Sequence, residues 1–438
     1  MSTKTIVILA AGLSTRMNSG LPKVMHPISG RPALGYILET ANNANPNKVI
    51  LITSPNMDNV RDYANSQYAG IIHAIQETPL GTGDAVKYAL PYIDMEGDCI
   101  ILYGDSPFIK LETINKLYQK KSDLVMIGFN SNKPNQYGRI VTFNQDVLEI
   151  VEFNDATEEE RAITLCNSGI YSIKNIHLHE LIPLIKNHNA KKEFYLTDIV
   201  KLAAQKDITC TVLESTEMEV MGFNSREELS FAEEIMQENI KSNLMYQGVS
   251  IINPKSSYIA YDFQAEKDVT IYPNVFIGNN VTAKNNVEIR SFSHLEGVNI
   301  HNNVVIGPFA RIRPNTELAD NVKIGNFVEI KNSNISNHSK INHLSYIGDT
   351  SMGNNCNVGA GTITCNFDGI KTKSKTNIGD NVSIGSNCSL IAPISISNGS
   401  FIAAGSVITK DTAEDDLAIA RAEQVNLTGK AKNLRHKK

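Results

Sequence analysis

Ile300-His-Asn-Asn-Val-Val-Ile306-Gly-Pro-Phe-Ala-Arg-Ile312-Arg-Pro-Asn-Thr-Glu-Leu318-Ala-Asp-Asn-Val-Lys-Ile324-Gly-Asn-Phe-Val-Glu-Ile330 carries an aliphatic residue at every sixth position. A helix would repeat at three and four residues and a half-buried strand at two, so neither accounts for it. The period continues on both sides, with three gaps shortened to five at 295–300, 330–335 and 347–352: Ile271, Ile277, Ala283, Ile289 and Leu295 before it, Ile335, Ile341, Ile347, Met352, Val358 and Thr364 after it. It closes with Ile378, Ile384, Leu390, Ile396, Ile402 and Ile408. Four residues beyond many of these stands a small or short side chain, as at Val281, Val304, Ala310, Val322, Val328, Thr362, Val382 and Cys388. Six-residue periods of this kind predict a parallel β-helix in which three hexapeptides close one triangular coil. Each aliphatic then points inward and stacks on its equivalents, with burial of each contributing about 1.5–3 kcal/mol. At the strand spacing of about 4.8 Å, roughly eight coils would form a prism on the order of 40 Å long. Between Thr364 and Ile378 the period breaks, so Cys365-Asn-Phe-Asp-Gly-Ile-Lys-Thr372 is expected to leave the prism as a loop. A loop ejected from a regular scaffold is more often functional than idle.

The preceding part of the chain has another texture. Strand-length apolar runs at Thr5–Leu9, Val49–Ile52, Ile71–Ile75, Ile100–Tyr103 and Leu124–Phe129 alternate with helix-like segments such as Ala33–Ala41 and Gly83–Leu90. That order predicts an α/β domain over residues 1–225, with a mainly parallel sheet covered on both faces and ligands at the carboxyl ends of its strands. Leu229, Ala232, Ile235, Met236, Ile240 and Leu244 keep helical spacing, so residues 226–248 read as a helical arm capped by Asn224 or Ser225. The β-helix would then occupy 249–438.

The composition bounds what such a chain does. With 438 residues, 42% of them hydrophobic and 20% charged, two or three packed domains are expected. A net charge of −5 gives no pull toward nucleic acid or anionic membrane. The basic run from Lys430 to Lys438 reads as a solvated end. Six dispersed cysteines without a Cys-x-x-Cys pair suggest neither a disulfide framework nor a zinc site and fit a reducing cytoplasm. The apolar run ending at Gly12 is too short for a signal-peptide core or a membrane span.

The chemistry begins at Leu9-Ala-Ala-Gly-Leu-Ser-Thr-Arg-Met17, followed by Pro22-Lys23. It matches neither the dinucleotide fingerprint nor the P-loop. Backbone N–H groups around Gly12 are nonetheless suited to phosphate oxygens, and Arg16 and Lys23 add positive charge that would balance charge developing on a leaving group. Asp105 follows a strand at the same edge.

These residues resemble the signature of sugar-1-phosphate nucleotidyltransferases, with Ser14 where that family usually has Gly. Gln76 with Leu80-Gly-Thr-Gly83, Tyr103-Gly-Asp105, Tyr137-Gly-Arg139, Asn167-Ser-Gly169 and Glu193-Phe-Tyr-Leu-Thr-Asp198 match in order. In the second half so do Ile306–Pro314, Gly325–Lys331, His343-Leu-Ser-Tyr346 and Gly359–Gly369. Nearly the whole chain is similar to the bacterial bifunctional family that joins an N-acetylglucosamine-1-phosphate uridylyltransferase to a glucosamine-1-phosphate N-acetyltransferase.

The resemblance implies a left-handed β-helix, packing as a homotrimer with the acetyl site shared between chains, and two reactions leading to UDP-N-acetylglucosamine, a precursor of peptidoglycan and lipopolysaccharide. For uridylyl transfer from UTP it implies Mg²⁺ on Asp105 and Asn224, catalytic Arg16 and Lys23 on the triphosphate, and Leu9, Ala10, Gly12, Tyr103 and Gly104 around the nucleotide. Gln76, Gly81 and Thr82 would read uracil, and Gly138, Glu152, Asn167 and Thr197 the sugar of N-acetylglucosamine-1-phosphate. For acetyl transfer from acetyl-CoA to glucosamine-1-phosphate it implies His343 as the base, Arg313 and Lys331 on the sugar phosphate, and Tyr346 and Asn357 on the sugar. Asn366 would approach the substrate, and Ala360, Ser386, Ala404 and Arg421 would line the acetyl-CoA site. Phe367 stands where the family commonly has Tyr, so a hydroxyl is missing there. The pairs His177-x-His179 and His338…His343 lack further ligands for a metal. Two rival readings remain: a nucleotidyltransferase whose β-helix only oligomerises, and a non-enzymatic scaffold. The set Arg313, Lys331, His343 and Tyr346, which a purely structural coil does not need, separates them from the bifunctional reading.

Overall fold

The computed structural model describes residues 3–12, 15–132, 135–143 and 146–435. Two compact units divide between Glu234 and Ile235.

In the first unit, the sheet order is Cys210–Glu214, Leu124–Asn130, Leu165–Lys174, Asp98–Tyr103, Lys4–Leu9, Lys48–Thr53, Ile72–Ile75. Lys4–Leu9 lies parallel between Asp98–Tyr103 and Lys48–Thr53, with Leu9 opposite both Tyr103 and Ile52. Alternate residues of this strand feed two separate cores, Val7 and Leu9 on one face and Ile6 and Ile8 on the other. Both faces are therefore covered, as the near-continuous apolar runs require. The parallel order is interrupted by Leu165–Lys174, which runs antiparallel to both its neighbours, and a hairpin of Arg139–Phe143 and Asp146–Val151 joins its start. The chain therefore leaves the central strand for opposite sides of the sheet, and the crevice beyond its carboxyl end is the expected binding position in such sheets.

The helical arm spans Arg226–Tyr246. Ser225 is the capping residue: its hydroxyl accepts from the Glu228 N–H at 3.1 Å, while the Glu228 carboxylate accepts from the Asn224 N–H at 2.5 Å. Its first half belongs to the first unit, where Glu233 accepts from the Ser29 N–H and hydroxyl. Its second half belongs to the second unit, where Gln237 both donates to and accepts from the Ile259 backbone.

The second unit is a parallel β-helix with three sheets of 10, 9 and 8 strands, each strand pairing with the third one on in sequence except at the end, where Phe401–Ile402 pairs with Leu417–Ala418, the second one on. That is about nine coils rather than eight. The extra turn is the first, where the step from Ile251 to Ile259 is stretched by the short turn Pro254–Ser256 and hides the six-residue period. Every aliphatic of the repeat is buried in one continuous core, and so are the small residues four positions on. Asparagines recur because the corners demand φ near +60°, which Asn tolerates better than most residues: Asn274, Asn286, Asn303, Asn321, Asn355 and Asn381 all adopt it. Their amides link successive coils, as in Asn286 to Asn303 at 3.1 Å and Asn355 to Asn381 at 3.3 Å. At one edge the same position holds Phe292, Phe309 and Phe327, whose exposed rings stack at 4.9 and 5.2 Å. No helix among the described residues is long and apolar enough to cross a membrane.

Ile324 stacks between Ile306 and Ile341 in the core. Ile324→Ala should destabilise the β-helix by about 2–5 kcal/mol, seen as a lowered midpoint in its thermal or urea transition. Lys323→Ala, one residue away on the outer face, should change it by no more than about 0.5 kcal/mol.

Candidate active sites

The crevice at the end of Lys4–Leu9 opens into a cavity of about 340 Å³. Leu9, Ala10, Gly12, Lys23, Gln76, Gly81, Thr82, Tyr103 and Asp105 all line it, with Glu193 at its rim. The Gly104 N–H donates to the Leu9 carbonyl at 2.9 Å and ties the two loops together. Gly81 has φ of +121°, and a Cβ there would stand 2.6 Å from the Phe194 carbonyl oxygen, so only glycine allows this approach. Gln76 is buried, and its amide nitrogen donates to Asp84 at 2.8 Å and to the Gly81 carbonyl at 3.2 Å. Both N–H bonds are thus used internally, and its carbonyl oxygen has no hydrogen-bond partner among the described residues. Lys23 forms an ion pair with Asp105, and its ammonium also donates to the Asn224 side-chain carbonyl at 3.0 Å. Arg226 braces this corner, donating to the Met17 carbonyl and to His26 Nδ1, each at 3.3 Å.

Arg16 lines a second cavity, of about 750 Å³, together with Tyr137, Glu152, Lys191, Tyr195 and Asn224. Arg16 and Lys23 therefore line different cavities, with Asp105 on the first and Asn224 on the second. Gly138, Asn167 and Thr197 are not on the lining of either cavity but behind it. Thr197 donates to Glu152 at 3.2 Å, the Gly138 carbonyl accepts from the Asn167 N–H at 2.9 Å, and Asn167 donates to Tyr171 at 2.9 Å. Burial pushes the Glu152 carboxyl above its ordinary value.

On the β-helix, coil register decides which residues meet. Asn326 lies opposite His343, and the Lys340–Asn357 pairing one coil on carries the same register from His343 to Ala360. The Asn387 N–H donates to the Ala360 carbonyl at 2.7 Å and the Gly405 N–H to the Ser386 carbonyl at 2.8 Å. The Arg421 guanidinium donates to the Ala404 carbonyl at 2.7 Å. His343, Ala360, Ser386, Ala404 and Arg421 thus follow one edge of the prism, coil by coil, over about 19 Å. His343 is exposed, and its Nδ1 lies 3.0 Å from Asn326 Oδ1. An amide oxygen only accepts, so Nδ1 is the donor in this bond, and in the neutral imidazole Nε2 then presents the lone pair.

The sheet that begins beyond this edge carries Lys331 and Tyr346. Glu329 lies opposite Tyr346 and Lys331 opposite Gly348. Arg313 follows one coil earlier, its N–H donating to the Ile330 carbonyl and its guanidinium pairing with Glu329 at 2.8 Å. Asn366 is buried at the root of the ejected loop, bonded to Asp349 and 3.4 Å from the Tyr346 hydroxyl. Asn357 sits on the outer face of the neighbouring sheet, opposite Lys340. The loop folds back on itself through Asp368, which accepts from the N–H groups of Ile370, Lys371 and Thr372.

The chain matches the family profile of the MobA-like NTP transferase domain over residues 6–165, the GMPPB C-terminal domain over 294–370, and the bacterial transferase hexapeptide, six repeats, over 375–410. It is 44% identical to the bifunctional protein GlmU of Zymomonas mobilis, covering 99% of this chain and 97% of that one. With the bifunctional protein GlmU of Paramagnetospirillum magneticum the identity is 41%, over the same shares of the two chains. With that of Geotalea uraniireducens it is 41%, over 98% and 99%. The chain belongs to the GlmU family.

Against the GlmU resemblance, Ser14 lies outside the described residues. Phe367 is exposed and bridges to Lys373 across the loop. Lys373 is a site residue that the sequence reading missed. It lies against Lys331 and, with Arg313 behind it, pushes the Lys331 ammonium below its ordinary value. Lys331 and Lys373 thus place two ammonium groups side by side, with Arg313 held by Glu329 and the Asp349 carboxylate nearby. The alternation Lys371, Lys373, Lys375 on the ejected loop was the signal available for it.

Glu152 offers a direct check on burial in the second cavity. Its folded-state pKa is raised, so its contribution to stability is fully present below the ordinary carboxylate value of about 4.3 and is lost as pH rises through the folded value. Glu152→Gln should therefore raise the thermal midpoint of the ligand-free protein at pH 7 to 8 and leave it unchanged near pH 4. Differential scanning fluorimetry across that range measures the difference.

Proposed function

We propose that this GlmU-family enzyme acetylates glucosamine-1-phosphate on its β-helix and joins the product, N-acetylglucosamine-1-phosphate, to UTP in its α/β domain, yielding UDP-N-acetylglucosamine and pyrophosphate. The observation that carries the acetyl half is the single edge of the prism along which His343, Ala360, Ser386, Ala404 and Arg421 follow one another. It offers a long, narrow ligand such as acetyl-CoA one continuous track that ends at an imidazole.

At that end His343 Nε2 takes a proton from the substrate ammonium. The freed amine attacks the thioester carbonyl, the carbon–sulfur bond breaks, and coenzyme A leaves as its thiol, taking up the proton that the attacking nitrogen sheds as the amide forms. The bond from Nδ1 to Asn326 keeps the reactive tautomer in place. Arg313, Lys331 and Lys373 hold the sugar phosphate, and Tyr346, Asn357 and Asn366 its ring. The exposed stack Phe292, Phe309, Phe327 and the adjoining Leu344 flank His343, and covering them by neighbouring copies supports a homotrimer with a shared acetyl site.

In the α/β domain an oxygen of the sugar phosphate attacks the α-phosphorus of UTP, and the bond to the β-phosphate breaks. No protein nucleophile is needed, so catalysis is positioning and charge balance. The backbone around Ala10 and Gly12, together with Lys23 and Arg16, supplies both. Asp105 and Asn224 suit Mg²⁺: they are hard oxygen donors that already converge on one positive charge, the Lys23 ammonium. Bound there, with waters and phosphate oxygens as further ligands, Mg²⁺ would add charge against the triphosphate. Gln76 has only its carbonyl left for a base, so it would accept from a base N–H such as the uracil imide. Glu152, backed by Thr197, accepts from a sugar hydroxyl. The six cysteines, none in a disulfide, accord with a cytoplasmic setting.

Two substitutions test the division of labour. His343→Ala should lower acetyl transfer by about 10²–10⁴-fold and leave uridylyl transfer near normal. Asp105→Ala should do the reverse, abolishing metal-dependent turnover of UTP while acetyl-CoA is still consumed. Assaying both half-reactions on both variants decides it, and parallel losses in either variant would overturn the reading.

A further inference from the structure

The ammonium of Lys23 touches both oxygen donors assigned to the metal, Asp105 and Asn224. A divalent cation bound to the same two oxygens would stand against that ammonium at contact distance, and two positive charges so close repel strongly. Asp105 is only 8% exposed, so without a cation its carboxylate would be buried and unpaired, a costly state. Lys23 meets that need when no nucleotide is bound. The same side chain also lines the cavity that leads to Leu9, Ala10 and Gly12, the expected phosphate position. Its base is fixed, because Pro22 precedes it and Val24 beside it is buried, while its four-carbon stem can turn from one anion to another.

We propose that Lys23 is a built-in counter-ion of the metal site, which occupies the cation position in the nucleotide-free enzyme and gives it up only when nucleotide phosphates draw the ammonium away. This rests on the uridylyl-transfer reading of the crevice. Its consequence is that metal and nucleotide bind cooperatively: free divalent cations compete with Lys23, and nucleotide removes the competitor. By linkage, the factor by which nucleotide tightens metal binding equals the factor by which metal tightens nucleotide binding. The device would keep the site from filling with metal before a substrate is present.

The test measures Mn²⁺ binding to the full chain without nucleotide, from the electron paramagnetic resonance signal of the free ion. Lys23→Ala and Lys23→Gln should each bind Mn²⁺ at least about tenfold tighter than the unaltered protein, the size expected when one close, partly screened like charge is removed. Adding Asp105→Asn to Lys23→Ala should erase the gain. A nucleotide-free affinity that is unchanged or weaker in both single variants overturns the proposal, as does a gain that survives Asp105→Asn. Metal-dependent UTP turnover by the unaltered protein, assayed on the same preparation, separates the two failures. If turnover is present and the variants bind no tighter, only the counter-ion role falls. If turnover is absent, the reading of the crevice falls with it.

Discussion

One inward aliphatic per hexapeptide is the constraint from which the second half of this molecule follows. Because the core admits that side chain only at one position in six, every coil must superpose on its neighbour residue for residue. A slip of one residue would turn Ile306, Ile324 and Ile341 outward together and expose polar neighbours to the core. The register that prevents this also aligns whatever stands on the surface. Residues about seventeen or eighteen positions apart in sequence become neighbours about 4.8 Å apart along an edge. That is how Asn326 meets His343 and how Ala360 follows it, although no local feature of the chain links them.

The same superposition tolerates one departure, and the chain uses it beside the cationic cluster. The segment after Cys365 leaves the prism and returns at Thr376, where pairing with Thr350 resumes in register. An insertion at a corner costs little, because loop closure grows slowly with length and no core residue is displaced. Its ends are secured by Asn366 on Asp349 at one side and by the Ser374 N–H on the Asn366 carbonyl at the other. Lys373 is thereby carried back over Lys331, to a place no coil residue could reach.

Legibility in the sequence divided along physical lines. The repeat, the α/β order and the helix Arg226–Tyr246 were all readable because each is a periodic demand on neighbouring residues. The antiparallel strand Leu165–Lys174 was not, since the direction of pairing depends on distant partners and leaves no periodic trace. The first coil escaped because the turn Pro254–Ser256 lengthens one side of its triangle. Within the sites, motif resemblance assigned roles to most of the residues that line the first cavity, but on the second only to Arg16, Glu152 and Asn224. It did not reveal that Gly138, Asn167 and Thr197 stand behind Glu152 rather than beside the cavity, since that difference is one of burial. Nor could it show that Lys23 and Asp105, apart in sequence, neutralise one another.

The two sites manage charge in opposite ways, and their reactions explain why. Uridylyl transfer gathers negative charge on a triphosphate and expels a pyrophosphate, so its cavity needs cations close to the reacting atoms. In the structure Lys23 is paired with Asp105 and bonded to Asn224, which offsets the cost of burying these charges. Acetyl transfer starts from a cationic amine that must lose its proton to become a nucleophile. A lysine or arginine beside that amine would favour deprotonation but repel the substrate, and a carboxylate would hold the proton on. His343 instead has a neutral amide behind it, and the cations Arg313, Lys331 and Lys373 lie toward the opposite end of the sheet beyond the edge. In the proposed reading, that separation would let one substrate present its phosphate to the cations and its amine to the imidazole.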